Sequence, residues 1–127
     1  ILNLNMDMIA RDKSETLYAV GTYHYPFLKS HLEKVAKKSK IKFLPGHDNP
    51  NQKEIEDWTF SSDHAAFHRE KIPFIYFGVE DFENHHKPTD DYETIMPKFF
   101  VQAVELILQS IKEFDKNLAD IEKQKSK

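Results

Sequence analysis

The residues best suited to chemistry lie between Ser61 and Ile95. Ser62-Asp63-His64 opens this stretch, and an unbroken apolar run from Ile72 to Val79 follows. The run leads into a loop where His85, His86, Asp90 and Asp91 crowd around Pro88. Carboxylates and imidazoles placed just beyond a buried strand can ligate a metal ion or exchange protons with a substrate. An acidic, His-containing surface loop has the same composition, and composition alone favours that plainer reading. The order of the elements shifts the balance towards chemistry.

Those elements can be taken in order. Leu2, Leu4, Met6 and Met8 alternate with Asn3, Asn5 and Asp7, so Ile1 to Ala10 predicts a strand with one dry face and Asp7 near its carboxyl end. A polar turn over residues 11–15 leads to Thr16–Thr22, apolar enough to be buried on both faces, and the short link predicts an antiparallel pair. Pro26 opens a helix to about Ser39, with Phe27, Leu28, Leu32, Val35 and Ala36 inward and His31 beside them in a structural or surface role. Ile41–Leu44 is a short strand, and His47–Trp58 a long polar loop. Ser61 or Ser62 is expected to cap a short helix reaching about Lys71, with Ala65, Ala66 and Phe67 inward.

Ile72–Val79 reads as a core strand, with Pro73 tolerated near its start. Met96–Phe114 is the strongest helical pattern, its stripe being Phe100, Val104, Ile107, Ile111 and Phe114, widened by Phe99, Ala103 and Leu108. Residues 116–127 turn charged and are expected to fray. Strands alternating with helices give an α/β class, a layered mixed sheet flanked by helices, with residues 1–127 as one unit.

The totals narrow the function classes. At 127 residues and 39% hydrophobic, the chain can bury a core. A net charge of -3 with interspersed signs gives no nucleic-acid footprint. Without cysteine there is neither a disulfide nor a thiolate metal site, and no apolar run reaches the length of a membrane span. Ile1 already lies inside an apolar pattern, which suggests a piece of a longer domain. In open α/β sheets, sites form beyond the carboxyl ends of strands. Asp7 and His86 both fall there, but one carboxylate and one imidazole are only half of a zinc site.

Three segments in this order, Asn5-Met6-Asp7-Met8-Ile9, then Ser62-Asp63-His64 with Ile72-Pro73, then His86-Lys87-Pro88-Thr89-Asp90 before a long helix, resemble the co-catalytic dizinc aminopeptidases. That group includes glutamate carboxypeptidases and glutaminyl cyclases. The resemblance covers nearly the whole chain but only the carboxyl-terminal half of the family's catalytic domain. It implies that Asp7 ligates one zinc and His86 the other. It further implies that Asp63 supports the site by hydrogen bonding, and that Asp90 holds the His86 loop, through the imidazole of that histidine. The Pro88 spacing favours His86 over its neighbour, leaving His85 as a supporting or exposed residue. His64 is read as a packing or hydrogen-bonding histidine rather than a ligand. His24, His47 and His68 have no partner pattern and receive no role.

The departures from the family are as informative. Its His-x-Asp ligand segment, bridging aspartate and Glu-Glu pair are absent, and Glu54 and Glu56 lie in the wrong place to substitute. The resemblance therefore implies part of a zinc-dependent aminopeptidase acting on the amino-terminal bond of a peptide substrate, inactive as these residues alone. The alternatives are a glutaminyl-cyclase-like acyltransferase and a non-catalytic binding module. Half a sheet with strands buried on both faces leaves an unpaired edge, so self-association is expected. The resemblance also suggests an exported protein.

Overall fold

Five consecutive residues, Phe74–Gly78 (β4), are buried, and the arrangement of the other elements follows from covering them. The structure is a computed structural model describing residues 1–126. Its other strands are β1 (Asn3–Met6), β2 (Thr16–Val20) and β3 (Lys42–Pro45). The sheet order is β1-β4-β2-β3. β1 lies parallel to β4, with Asn3 opposite Phe74 and Met6 opposite Phe77. β2 lies antiparallel to β4 and parallel to β3. The fold is thus α/β with a mixed sheet, as expected.

The expected pairing of the first two strands is corrected. They run in opposite directions, but β4 lies between them. The physical reason is burial: β4 needs a hydrogen-bonding neighbour on each edge, whereas β1 is only half buried and suits an edge. The link is held by Asp12, whose Oδ2 accepts hydrogen bonds from Ser14 N at 3.1 Å, Ser14 Oγ at 2.7 Å and Thr16 N at 2.9 Å.

Alternation divides the core between the two faces. Leu17, Ala19, Ile75, Phe77 and Val79 point to one side, under helices α1 (Lys29–Ala36), α3 (Pro97–Lys116) and α4 (Leu118–Lys125). Val20, Phe74 and Tyr76 point to the other, where Trp58 packs; α2 (His64–Arg69) covers that face, its His64 ring stacking on Tyr76 and lying 4.7 Å from that of Phe74. Burying a side chain such as Phe74 or Phe77 stabilises by roughly 1.5–3 kcal/mol. The helix read from Pro26 begins as a 3-10 turn, Pro26–Leu28, and His31 is buried against Glu113 at 3.1 Å. Among the described residues, no helix is long and apolar enough to cross a membrane.

Three expectations about helix faces change. α3 is inward-facing at Phe99, Ala103, Leu106, Ile107, Ser110 and Phe114, while Val104, Leu108 and Ile111 are exposed. The helix carries two adjacent apolar stripes. The buried one carries the small residues Ala103 and Ser110. On α2, Ala65 is buried but Ala66 and Phe67 are exposed, because a helix of six residues turns only one narrow face inward. The tail expected to fray instead forms α4, anchored by Ile121 at 1% exposure. Its last residue, Lys127, lies outside the described residues.

The Ile121 anchor yields a direct prediction. Ile121→Ala should lower stability by about 2–5 kcal/mol in urea unfolding, the range for emptying a packed apolar site. A frayed tail would leave the midpoint unchanged.

Candidate metal site at the carboxyl ends of β1 and β4

Parallel pairing puts the carboxyl ends of β1 and β4 side by side, and each leads into a segment with metal-ligand chemistry. Asp7 directly follows β1, and its N–H donates to Phe77 O at 3.3 Å. The loop carrying His85, His86 and Asp90 leaves β4 at the same edge and returns over the chain beyond Asp7, where Met96 N donates to Ala10 O at 3.0 Å. Asp7 is exposed.

The Asp7 carboxylate is oriented by a chain of hydrogen bonds whose direction is fixed. Trp58 O can only accept, so His64 Nε2, at 2.8 Å, carries the proton. His64 Nδ1 is then the acceptor for the Asn5 amide at 3.3 Å, while the same amide nitrogen donates to Ser62 Oγ at 3.1 Å. The Ser62 hydroxyl donates its proton to Asp7 Oδ2 at 3.0 Å. His64 is fully buried and stacks on Tyr76 at 4.5 Å and 12°. Burial lowers its pKa, which suits the neutral ring this geometry needs. Tyr76 donates to Asp7 O at 3.3 Å, and burial, with help from the Asp7 charge, pushes its hydroxyl up to about 12.

This network corrects the expected helix cap. Ser62 does not cap α2, since its hydroxyl is turned to Asp7. Asp63, not a serine, occupies the N-cap position, and it makes no side-chain cap hydrogen bond. Asp63 is also exposed, so the hydroxyl beside it, rather than its own carboxylate, reaches the Asp7 carboxylate. His64 both packs and hydrogen-bonds, as expected.

The second loop is held by a residue the sequence reading passed over as part of a polar turn. Arg11 Nε donates to Asp81 Oδ2 at 2.7 Å, Nη1 to Thr94 Oγ1 at 2.8 Å, and Nη2 to Asp90 Oδ1 at 2.7 Å. Asp90 does hold the loop, but through Arg11 and not through the His86 imidazole. The available signal was its type: Arg11 is one of only two arginines in a lysine-rich chain, and a planar fork suits such multi-point clamping. His86 is exposed with a left-handed φ of 57°, and its ring meets that of His85 edge-on at 3.8 Å. His85 is itself half-buried, with its N–H on Asp81 O at 3.2 Å.

Asp7 and His86 therefore follow the carboxyl ends of neighbouring strands, Asp7 held by Ser62 and the loop that carries His86 held by Arg11. Their donor types suit zinc. However, no group of three or more His, Cys, Asp or Glu among the described residues could hold a metal ion. These residues alone do not complete such a site. A cavity of about 670 Å³ lies elsewhere, between α1 and α3 beside Lys34, Val35, Leu106 and Lys112.

Arg11 gives the site a predictable acid response. Burial pushes the Asp81 carboxyl up, but hydrogen bonds from Arg11 and Asn84 outweigh it and hold the group below its ordinary value. The resulting stability is fully present above the unfolded value of about 3.9 and is lost as pH falls through the lower folded value. Arg11→Met should cost on the order of 3 kcal/mol near neutral pH by leaving Asp81 buried and uncompensated. The penalty should shrink as acid neutralises Asp81, giving the variant a flatter stability profile than wild type in urea titrations. An equal loss at every pH would show that the clamp is not ionic.

No curated protein and no solved structure matches the chain. The family model described as Peptidase family M28 matches residues 1–111, which include β1 with Asp7, the Ser62-Asp63-His64 segment, the His86 loop and most of α3. On that match, spanning most of its length, the chain belongs to peptidase family M28.

Proposed function

We propose that the chain is the carboxyl-terminal portion of a zinc-dependent exopeptidase unit that hydrolyses the amino-terminal bond of a peptide. Asp7 and His86 would each contribute a ligand to a different zinc ion. The observation carrying this reading is the parallel β1–β4 pair, which delivers an oriented carboxylate and a His-bearing loop to one sheet edge. Bound zinc would supply an acidified water and a polarised carbonyl. The residues of this chain hold and aim donors: Ser62 leaves Asp7 as an acceptor, and Arg11 fixes the loop that presents His86. The remaining ligands and the general base would come from outside these 127 residues.

The reading is tested with an aminoacyl-p-nitroanilide and added zinc. The 127-residue chain is expected to show no chelator-sensitive turnover, because each ion would have one protein ligand here against about three in catalytic zinc sites. The full-length protein should turn over the substrate, and Asp7→Asn should remove zinc and activity together. Turnover by the short chain at a rate near that of the full-length protein would overturn the proposal. Full zinc content with a normal rate in Asp7→Asn would remove Asp7 from the ligand set.

A further inference from the structure

We propose that the cavity between α1 and α3 is a binding site for a compact polyanion bearing clustered phosphoryl groups. It shares no residue with the candidate metal site and does not rest on the preceding reading.

The cavity, about 670 Å³, falls within the range of roughly 300–1,000 Å³ usual for small-molecule sites. Six lysines line it: Lys34, Lys37, Lys38 and Lys40 from α1 and the turn after it, and Lys112 and Lys116 from α3. They face only two glutamates, Glu105 and Glu113. The whole chain has a net charge of -3 with its signs interspersed, so this concentration of one sign runs against its composition. Spacing brings the charges together. Lys34, Lys37 and Lys38, three and four residues apart, share one face, as do Lys112 and Lys116. Like charges at that spacing weaken their own helix. Placement near a helix carboxyl end favours cations and accounts for Lys34 and Lys116, which lie in the last turns of α1 and α3. It does not account for Lys40, beyond α1, or Lys112, before the last turn of α3, yet both line the same cavity.

Little within the protein offsets these charges. Glu113 is already engaged: its Oε1 lies 3.1 Å from His31 Nδ1 and 3.5 Å from Lys34 Nζ, and accepts from Asn117 at 3.0 Å. Among the described residues, Lys37, Lys38, Lys40, Lys112 and Lys116 enter no ion pair. Val35 and Leu106, both buried, floor the cavity. A cleft lined by one sign over a low-dielectric floor focuses its field and concentrates counter-ions. The lining also selects among anions. An ammonium is a point charge without the planar fork that suits carboxylates, and both arginines, Arg11 and Arg69, lie elsewhere. Recognition by charge alone favours the anion with most charge in least volume. Gln102 and Gln109 add neutral donors suited to phosphoryl oxygens. Among the described residues no aromatic ring lines the cavity, so nothing there would stack on a nucleobase. These features fit a molecule with several phosphoryl groups and no base.

The test titrates tripolyphosphate and, separately, inositol hexakisphosphate into the 127-residue chain and follows nitrogen-15 amide shifts. Saturable shifts are expected in α1, the turn after it and α3 from Gln102 to Lys116, with affinity falling as sodium chloride is raised. Tighter binding of tripolyphosphate would support a linear phosphate chain as the ligand, and tighter binding of inositol hexakisphosphate a cluster borne on a ring. Lys38 and Lys112 are exposed, so Lys38→Glu/Lys112→Glu should leave the β4 amides unchanged while weakening both probes by at least about tenfold. Lys53→Glu/Lys98→Glu makes the same change in net charge away from the cavity and should bind as wild type does. No saturable shift, shifts centred elsewhere, or equal weakening by the two double variants would overturn the site. A hexaglutamate peptide bound as tightly as tripolyphosphate would overturn the phosphoryl assignment in favour of an acidic peptide. None of these results bears on whether Asp7 ligates zinc.

Discussion

The complete burial of β4 is the constraint from which the other elements take their places. A strand with Phe74, Ile75, Tyr76 and Phe77 all shielded from water must have a hydrogen-bonding neighbour on each edge and a layer on each face. β1 and β2 fill the edges, α3 and α1 the first face, and Trp58 with α2 the second. Gly21 shows how tight the fit is. With a φ of 130°, it brings the end of β2 against β4, where an added Cβ would lie 2.4 Å from Phe74 O.

The candidate site follows from this arrangement. Because β1 runs parallel to β4, their carboxyl ends coincide, and the crevice rule for open sheets then applies to both at once. The supporting contacts differ in kind. Asp7 accepts from the uncharged Ser62 hydroxyl, which Asn5 holds while also donating to the buried His64. The His86 loop is tied by the charges of Arg11, Asp81 and Asp90. Asp7 is thus met by a neutral hydroxyl, while the two carboxylates beside Arg11 are engaged in ion pairs.

What could be read from the sequence divides along the same physical lines. Local signals worked: the apolar run at Ile72–Val79 contains a central strand, the long helix begins within a residue of Met96, and Asp7 directly follows a strand. Decisions made by tertiary packing were not legible. Nothing between Asp7 and Glu15 says that a strand from much later in the chain will separate β1 from β2. Two apolar stripes on α3 are equivalent until the sheet selects the one with Ala103 and Ser110. Ile121, one apolar residue in a charged tail, carries too weak a periodic signal to announce a docked helix. At the site, residue type and order singled out Asp7 and His86, and the structure sets them beyond the carboxyl ends of two neighbouring strands. Long-range polar partners such as Arg11 and Asn5 have no local pattern, and a serine before a helix looks the same whether it caps the helix or turns to a carboxylate.

The central claim is that one sheet edge presents Asp7 and His86 as ligands for two neighbouring metal ions. Anomalous scattering at the zinc edge, from crystals of the full-length protein grown with zinc, tests it most directly. Two peaks are expected, one about 2.0–2.2 Å from an Asp7 carboxylate oxygen and the other about 2.0–2.1 Å from a His86 ring nitrogen. Asp7 should remain hydrogen-bonded to Ser62 through its other oxygen. Zinc bound elsewhere, or peaks that leave both Asp7 and His86 uncoordinated, would contradict it.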